Sequence, residues 1–261
     1  MQQTQTILND ILSSIIDIHN KGGDVSPFEV ASLKRDILKL PTVNEQQHAL
    51  GMLFAAQKKR DEMKQAFENA LSSSMSDETD VWNYWVSMKL VGLTPACLKR
   101  AKELTLSRKH LKLGAELVSW YTKLFQLDDA AELLDFCRSF NDENYAEEIN
   151  SAEMELNMLD KFFTEGSLPK EELNSIGNAV LSLIETKGIK VSFGVSEHLK
   201  ERNHISVTYG IDEERYTSSQ VCDLNFDIAD TLIDKDLDRL PVVVKFVRLP
   251  TEMCKSEVGL I

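Results

Sequence analysis

The sequence predicts an α+β protein in which an array of helical hairpins precedes a small α+β domain with a three-stranded sheet. Two observations predict this fold class. Equivalent positions of a repeated pattern fall at Gly51, Trp85 and Val118, which are 34 and then 33 residues apart. After Gly188 the apolar period changes to two, which is the period of a β-strand. The first part of the chain is therefore expected to be helical and the second part mixed.

Two helices are predicted before the repeated region, over residues 4–20 and 26–40. Ser26 and Pro27 are typical of a helix start, because serine caps the first turn and proline fits the first helical position. These helices would cap the array or form one further hairpin.

Each repeat unit has the pattern of two short helices that pack against each other. In the first unit, a small residue at Gly51 would let the second helix approach closely, and Phe54 lies on the same face one turn later. The other marks of the pattern are Leu50, Met63, Phe67 and Ala70 in unit one, Tyr84, Met88, Cys97, Ala101 and Leu104 in unit two, and Leu117, Tyr121, Ala130, Leu134 and Cys137 in unit three.

This spacing resembles the tetratricopeptide (TPR) repeat over residues 44–137. The resemblance implies an α-solenoid, in which about three stacked units are needed for stability. Only the first unit keeps the glycine of the family pattern, and no unit keeps its proline in the usual place. An irregular helical bundle with accidental self-similarity is the alternative interpretation.

The resemblance also implies a binding groove, because the first helix of each TPR pair lines the concave surface. For this chain, the resemblance implies that the groove holds a peptide or helix of a partner. The chaperone-binding members of the family use a clamp that contains asparagines, and these asparagines are absent here. The alternative for Trp82 is that it packs in the core and does not line a groove. The groove residues are His48, Met52, Trp82, Val86, Lys89, Lys112, Ser119, Thr122 and Lys123.

The second half of the chain is predicted to begin a new domain after the Gly-Ser-Leu-Pro segment at residues 166–169. We therefore divide the chain into residues 1–165 and 166–261. The second domain reads helix, strand, strand, helix, strand, and ends with an apolar strand at residues 240–249 that we expect to be well covered. A sheet with helices on one face would bury this pattern.

Four aspartates in the second domain share one face of a predicted helix over residues 218–234. Their spacing of four, three and four places them within about 60° of one another around the helix. This face is either a docking surface for a basic partner or a solvated helix face. Its residues are Asp223, Asp227, Asp230 and Asp234.

Charge divides unevenly along the chain. Residues 1–140 carry 17 Lys+Arg and 18 Asp+Glu, a net charge of −1, whereas residues 141–261 carry 12 and 24, a net charge of −12. Such an acidic half makes direct nucleic-acid binding unlikely. No apolar run could span a membrane, no signal segment begins the chain, and none of the four cysteines forms a C-x2-C pair. We expect a cytoplasmic protein with reduced thiols.

No catalytic motif, metal-ligand spacing or cofactor fingerprint occurs in the sequence. The prediction is therefore a non-enzymatic protein–protein interaction module without cofactor or metal, such as an adaptor, a chaperone or a neutralising partner, which could also form a homo-oligomer. One alternative is a regulator of nucleic-acid transactions that acts through the acidic face as a mimic or through the basic turns at residues 58–60 and 108–112. A cryptic enzyme is the further alternative.

Overall fold

The computed structural model describes residues 2–20, 26–199 and 204–250. The chain divides into two compact units, the first ending at Val91 and the second beginning at Gly92. Within the described ranges no helix has the length and apolar character needed to cross a bilayer.

Five helices form the first unit, and the second unit contains six helices and three strands among the residues described. The first-unit helices are α1 (Gln2–Asn20), α2 (Pro27–Ile37), α3 (Val43–Ala56), α4 (Arg60–Leu71) and α5 (Glu78–Val91). The second unit contains α6 (Pro95–Arg108), α7 (Leu111–Lys123), α8 (Leu127–Arg138), a 3-10 turn (Glu143–Tyr145), α9 (Ala146–Glu165), α10 (Lys170–Lys187), β1 (Val191–Leu199), β2 (His204–Asp212), α11 (Ser218–Asp234) and β3 (Val242–Leu249).

The predicted α+β class and the order of helix, strand, strand, helix, strand after residue 166 are confirmed. The α3 to α8 helices are 12 to 14 residues long, as helical repeats require. That they belong to the TPR family stays a prediction.

Local signals explain where the early helices begin. Ser26 caps α2 and Thr42 caps α3, and in each case the glutamate three residues later closes a capping box. Pro27 occupies the first helical position, as predicted.

Gly51 permits the close contact of α3 with α4 that the sequence predicts. A Cβ atom on this residue would lie 2.6 Å from the ring of Phe67. Phe67 is fully buried and stacks on Tyr84 of α5, with ring centroids 5.0 Å apart. The core of the first unit therefore forms around this ring.

The sheet has the strand order β1-β2-β3, with β1 antiparallel to β2 and β2 parallel to β3. The strand predicted to be well covered is instead β3 at one end of this order, where the side chain of Val243 is exposed. The most buried strand is β2, and its Tyr209 lies opposite Gly194 on β1 and Phe246 on β3. The period of two after Gly188 also predicts that Phe193 and Val195 face the core, but their side chains and the loop at residues 200–203 lie outside the described residues.

Helices α7 and α9 both contact β1. The Tyr209 hydroxyl donates a hydrogen bond to the carbonyl oxygen of Lys123 at 2.8 Å, which joins the sheet to the end of α7. The predicted boundary at residue 165 falls in the turn between α9 and α10, so these contacts cross it inside the second unit. The division of the chain into domains of residues 1–165 and 166–261 stays a prediction.

Candidate interaction surfaces

The residues predicted to line a groove are mostly buried. Trp82, Lys89, Lys112 and Ser119 are partly exposed. The other five are buried and present no open surface to a peptide in this structure: His48, Met52, Val86, Thr122 and Lys123.

His48 is buried because it joins α3 to α5 through a polar network. Its Nδ1 hydrogen bonds to the carboxylate of Asp80, and the amide of Asn83 donates to its Nε2 at 3.0 Å. Asp80 also accepts hydrogen bonds from the Asn44 amide at 3.0 Å and from the backbone N–H of Asp77 at 3.1 Å. Burial alone would raise the pKa of Asp80, but the hydrogen bonds from His48 and Asn44 hold this pKa below its usual value. This network is a structural connection between two helices.

Lys123 is likewise part of a contact between helices and the hairpin. Its ammonium group pairs with Glu155 of α9 at 2.7 Å, and the hydroxyl of Ser119 donates to the same carboxylate at 2.7 Å. The hydroxyl of Ser196 on β1 donates to the other oxygen of Glu155. Gly194 leaves room for the lysine stem, because a Cβ atom there would lie 2.7 Å from the Cδ atom of Lys123. Lys123, which was predicted as a groove residue, therefore holds β1 on α7 and α9.

The four predicted aspartates lie on the side of α11 that faces away from its buried residues. Asp227 forms an ion pair with Lys187 of α10 at 2.8 Å. The side chains of the other three are exposed and form no hydrogen bond or ion pair with any residue that the structure describes. The helix packs into the unit through Val221, Leu224, Ile228 and Leu232.

An apolar stripe on α11 was missed by the sequence reasoning. It consists of Cys222, Phe226, Ala229 and Ile233, all exposed. Phe226 is 64% exposed and Ile233 is 57% exposed. Each member directly precedes one of the four aspartates, so the same spacing of four, three and four would have found the stripe.

A cleft of about 450 Å³ opens in the second unit between α6, α7, α8 and α10. Its apolar lining includes Leu98 and Leu106 of α6, Tyr121 of α7 and Leu181 of α10. No residue of this set was predicted as a site residue. The lining comes from four helices spread over more than eighty residues of sequence, from Pro95 to Leu181.

Lys102 lies at the rim of the cleft between two carboxylates. Its Nζ atom is 2.6 Å from Asp129 and 2.5 Å from Glu132, and it lies 5.9 Å from the centre of the Tyr121 ring. Burial lowers the pKa of Lys102, but the hydrogen bonds to the two carboxylates outweigh it and raise this pKa above its usual value. The lysine therefore stays charged, and the cluster carries one excess negative charge.

Comparison of the chain with protein-family models, with curated proteins and with solved structures finds no match. Within residues 2–20, 26–199 and 204–250, no three His, Cys, Asp or Glu side chains are grouped so that they could hold a metal ion. Two surfaces of this chain are candidates for function, the cleft and the exposed face of α11.

Proposed function

We propose that the protein is a protein–protein interaction module that holds a peptide or helical segment of a partner in the cleft between α6, α7, α8 and α10. The observation that carries this proposal is an opening between four helices in which the partly exposed Leu106 lies beside an apolar base of the buried Leu98, Tyr121 and Leu181. A volume of about 450 Å³ falls in the range typical of ligand pockets in proteins. An adaptor, a chaperone and a neutralising partner would each use such a cleft.

The charges at the rim indicate what the bound segment carries beside its apolar anchor. The side chain of Lys102 is only 16% exposed, whereas those of Asp129 and Glu132 are 47% and 61% exposed. The cleft lining also carries the exposed Lys99 and Glu103, so its charged side chains are of both signs. A segment with an apolar anchor flanked by charges of both signs would complement this site.

The accessible leucine of the cleft provides the test. Leu106 is partly exposed on α6, so its replacement does not remove a residue from the closed core. Wild-type protein is expected to capture a partner from a native extract at a one-to-one ratio. We expect Leu106→Glu to lose that partner, because the new carboxylate lies in the apolar lining of the cleft. Mass spectrometry of the captured proteins at low and high salt measures this loss.

Met154→Glu is the matched control, since Met154 is 74% exposed on α9 and does not line the cleft. This variant should retain the partner. Retention of the same partner by folded Leu106→Glu would contradict the assignment of the cleft. Circular dichroism establishes that both variants are folded.

A further inference from the structure

The apolar stripe of α11 has the spacing of a helix that packs against another helix. At about 100° per residue, Cys222, Phe226, Ala229 and Ile233 lie within about 60° of one another. Spacings of four, three and four place side chains along one seam, as at helix–helix contacts. The helix has 17 residues, and at about 1.5 Å of rise per residue the stripe follows roughly 16 Å of its surface.

This stripe is not needed to hold α11 in the fold. The helix already buries Val221, Leu224, Ile228 and Leu232 on the opposite side. It is further fixed by Asn225, whose side chain exchanges two hydrogen bonds with the backbone of Phe246 at 3.0 and 2.7 Å. A large aromatic and a large aliphatic side chain exposed on one seam are typical of a surface that another molecule covers.

The charge beside the stripe decides which molecule can cover it. The row of Asp223, Asp227, Asp230 and Asp234 runs parallel to the stripe, about 100° further around the helix. Of these, Asp227 pairs with Lys187, and the remaining three face solvent without a partner among the described residues. A second copy would bring like charges together, and anionic lipid or nucleic acid would be repelled in the same way.

We infer that the stripe of Cys222, Phe226, Ala229 and Ile233 docks a basic amphipathic helix of another protein, with the aspartate row pairing with its lysines or arginines. The contact buries Phe226 and Ile233 and combines the packing of one helix along another with charge steering. This inference rests on the proposed role as an interaction module, but it uses a different surface from the cleft.

A synthetic peptide is the direct probe of this surface. It should be a helix former with leucines along one seam and lysines at the remaining positions. A scrambled peptide of the same composition and a version with glutamate in place of lysine serve as comparisons. We expect the full-length protein to bind only the first peptide tightly in fluorescence anisotropy, with an affinity that falls as salt is added.

Two variants divide the contact into its parts. The double variant Phe226→Ser, Ile233→Ser should weaken binding of the peptide by about tenfold or more, as expected when central apolar anchors are removed. The triple variant Asp223→Asn, Asp230→Asn, Asp234→Asn should weaken binding at low salt and flatten its salt dependence. All five side chains are exposed, so the variants are expected to fold, which circular dichroism checks.

Two controls separate this surface from the rest of the molecule. Met154→Ser removes an exposed apolar residue from α9 and should leave binding of the peptide unchanged. Leu106→Glu should also leave it unchanged. If Leu106→Glu loses the natural partner and still binds the peptide, the two surfaces are independent, and each proposal stands or fails by itself.

Three results would overturn the inference. The scrambled peptide could bind as tightly as the amphipathic one. The Phe226 and Ile233 double variant could bind with wild-type affinity. The wild-type protein could sediment as a dimer that the double variant dissociates, which would identify a second copy of the chain as the occupant.

Discussion

Asp80 shows how one buried charge is accommodated in the first unit. Its side chain is almost fully buried, and it receives hydrogen bonds from the imidazole of His48, the amide of Asn44 and the backbone of Asp77. Such partners replace the water that burial removes. The carboxylate can therefore stay ionised and connect α3 to α5.

Removing this carboxylate should destabilise the fold strongly. We expect Asp80→Ala to lower the free energy of unfolding by about 3 kcal/mol, since it leaves the buried His48 without its carboxylate partner. Urea unfolding at neutral pH measures the change. Asp36→Ala, which breaks an exposed pair with Lys39, is the control and should leave the midpoint unchanged.

The pH dependence of this contribution follows from the lowered pKa of Asp80. The pKa of Asp80 is lower in the folded state than in the unfolded chain, where it is about 4, so the ionised carboxylate stabilises the folded state at pH values above about 4. This stabilisation is lost as the pH falls through the pKa that Asp80 has in the folded state. The difference in stability between wild type and Asp80→Ala should therefore shrink in acid. A difference that stays constant from neutral pH to acid would contradict the role given to the ionised carboxylate.

At the scale of single residues, the sequence identified His48 but not its role. Because His48 lies on the first helix of a repeat, it was predicted to line a groove. It lies 32 residues from Asp80 in the sequence, and no local pattern indicates that the two side chains meet. The same holds for Lys123 and Glu155, which are also 32 residues apart. Pairs of this kind are set by the packing of helices and not by periodicity.

Close approach at Gly177 is what allows α10 to pack in the second unit. A Cβ atom on Gly177 would overlap the backbone carbonyl of Leu124 at the end of α7. Neither group can move without shifting a helix, because the clash is with backbone and not with a flexible side chain. The glycine is therefore required by the contact of α10 with that end of α7.

Because of this close contact, replacing the glycine by alanine should destabilise the protein, although the same substitution usually stabilises a helix. Gly→Ala within a helix normally stabilises it, by about 1 kcal/mol. We expect Gly177→Ala to destabilise the protein by about 1–3 kcal/mol, as overpacking does. Ser182→Ala at an exposed position of the same helix is the control, and thermal unfolding compares the two. A higher melting temperature for Gly177→Ala would contradict the packing described here.

Elements were predicted well where their own residues determine them. The period of two after Gly188 and the Ser26-Pro27 start of α2 are local signals, and each marks an element of the structure. The environment of β3 was predicted wrongly, because an apolar run does not show whether a strand is central or at an edge. On α11 the prediction used the spacing of the aspartates and did not use the same spacing of the apolar residues beside them.

At the scale of the whole molecule, two partly apolar surfaces characterise this chain. The cleft presents charged side chains of both signs beside an apolar lining, and α11 presents an aspartate row beside an apolar stripe. The charge asymmetry of the sequence predicted the acidity of the second half. It could not predict the cleft, because its lining is assembled from helices that are distant in sequence.

The most direct test of the central claim is hydrogen–deuterium exchange on the full-length protein with and without its captured partner. An interaction module that uses the cleft should show slowed exchange in α6 and in the segments of α7 and α10 that line it, because covering these helices suppresses their local opening. Protection of α11 as well would show that the same partner also covers the stripe. Protection confined to helices that line neither surface would contradict the account.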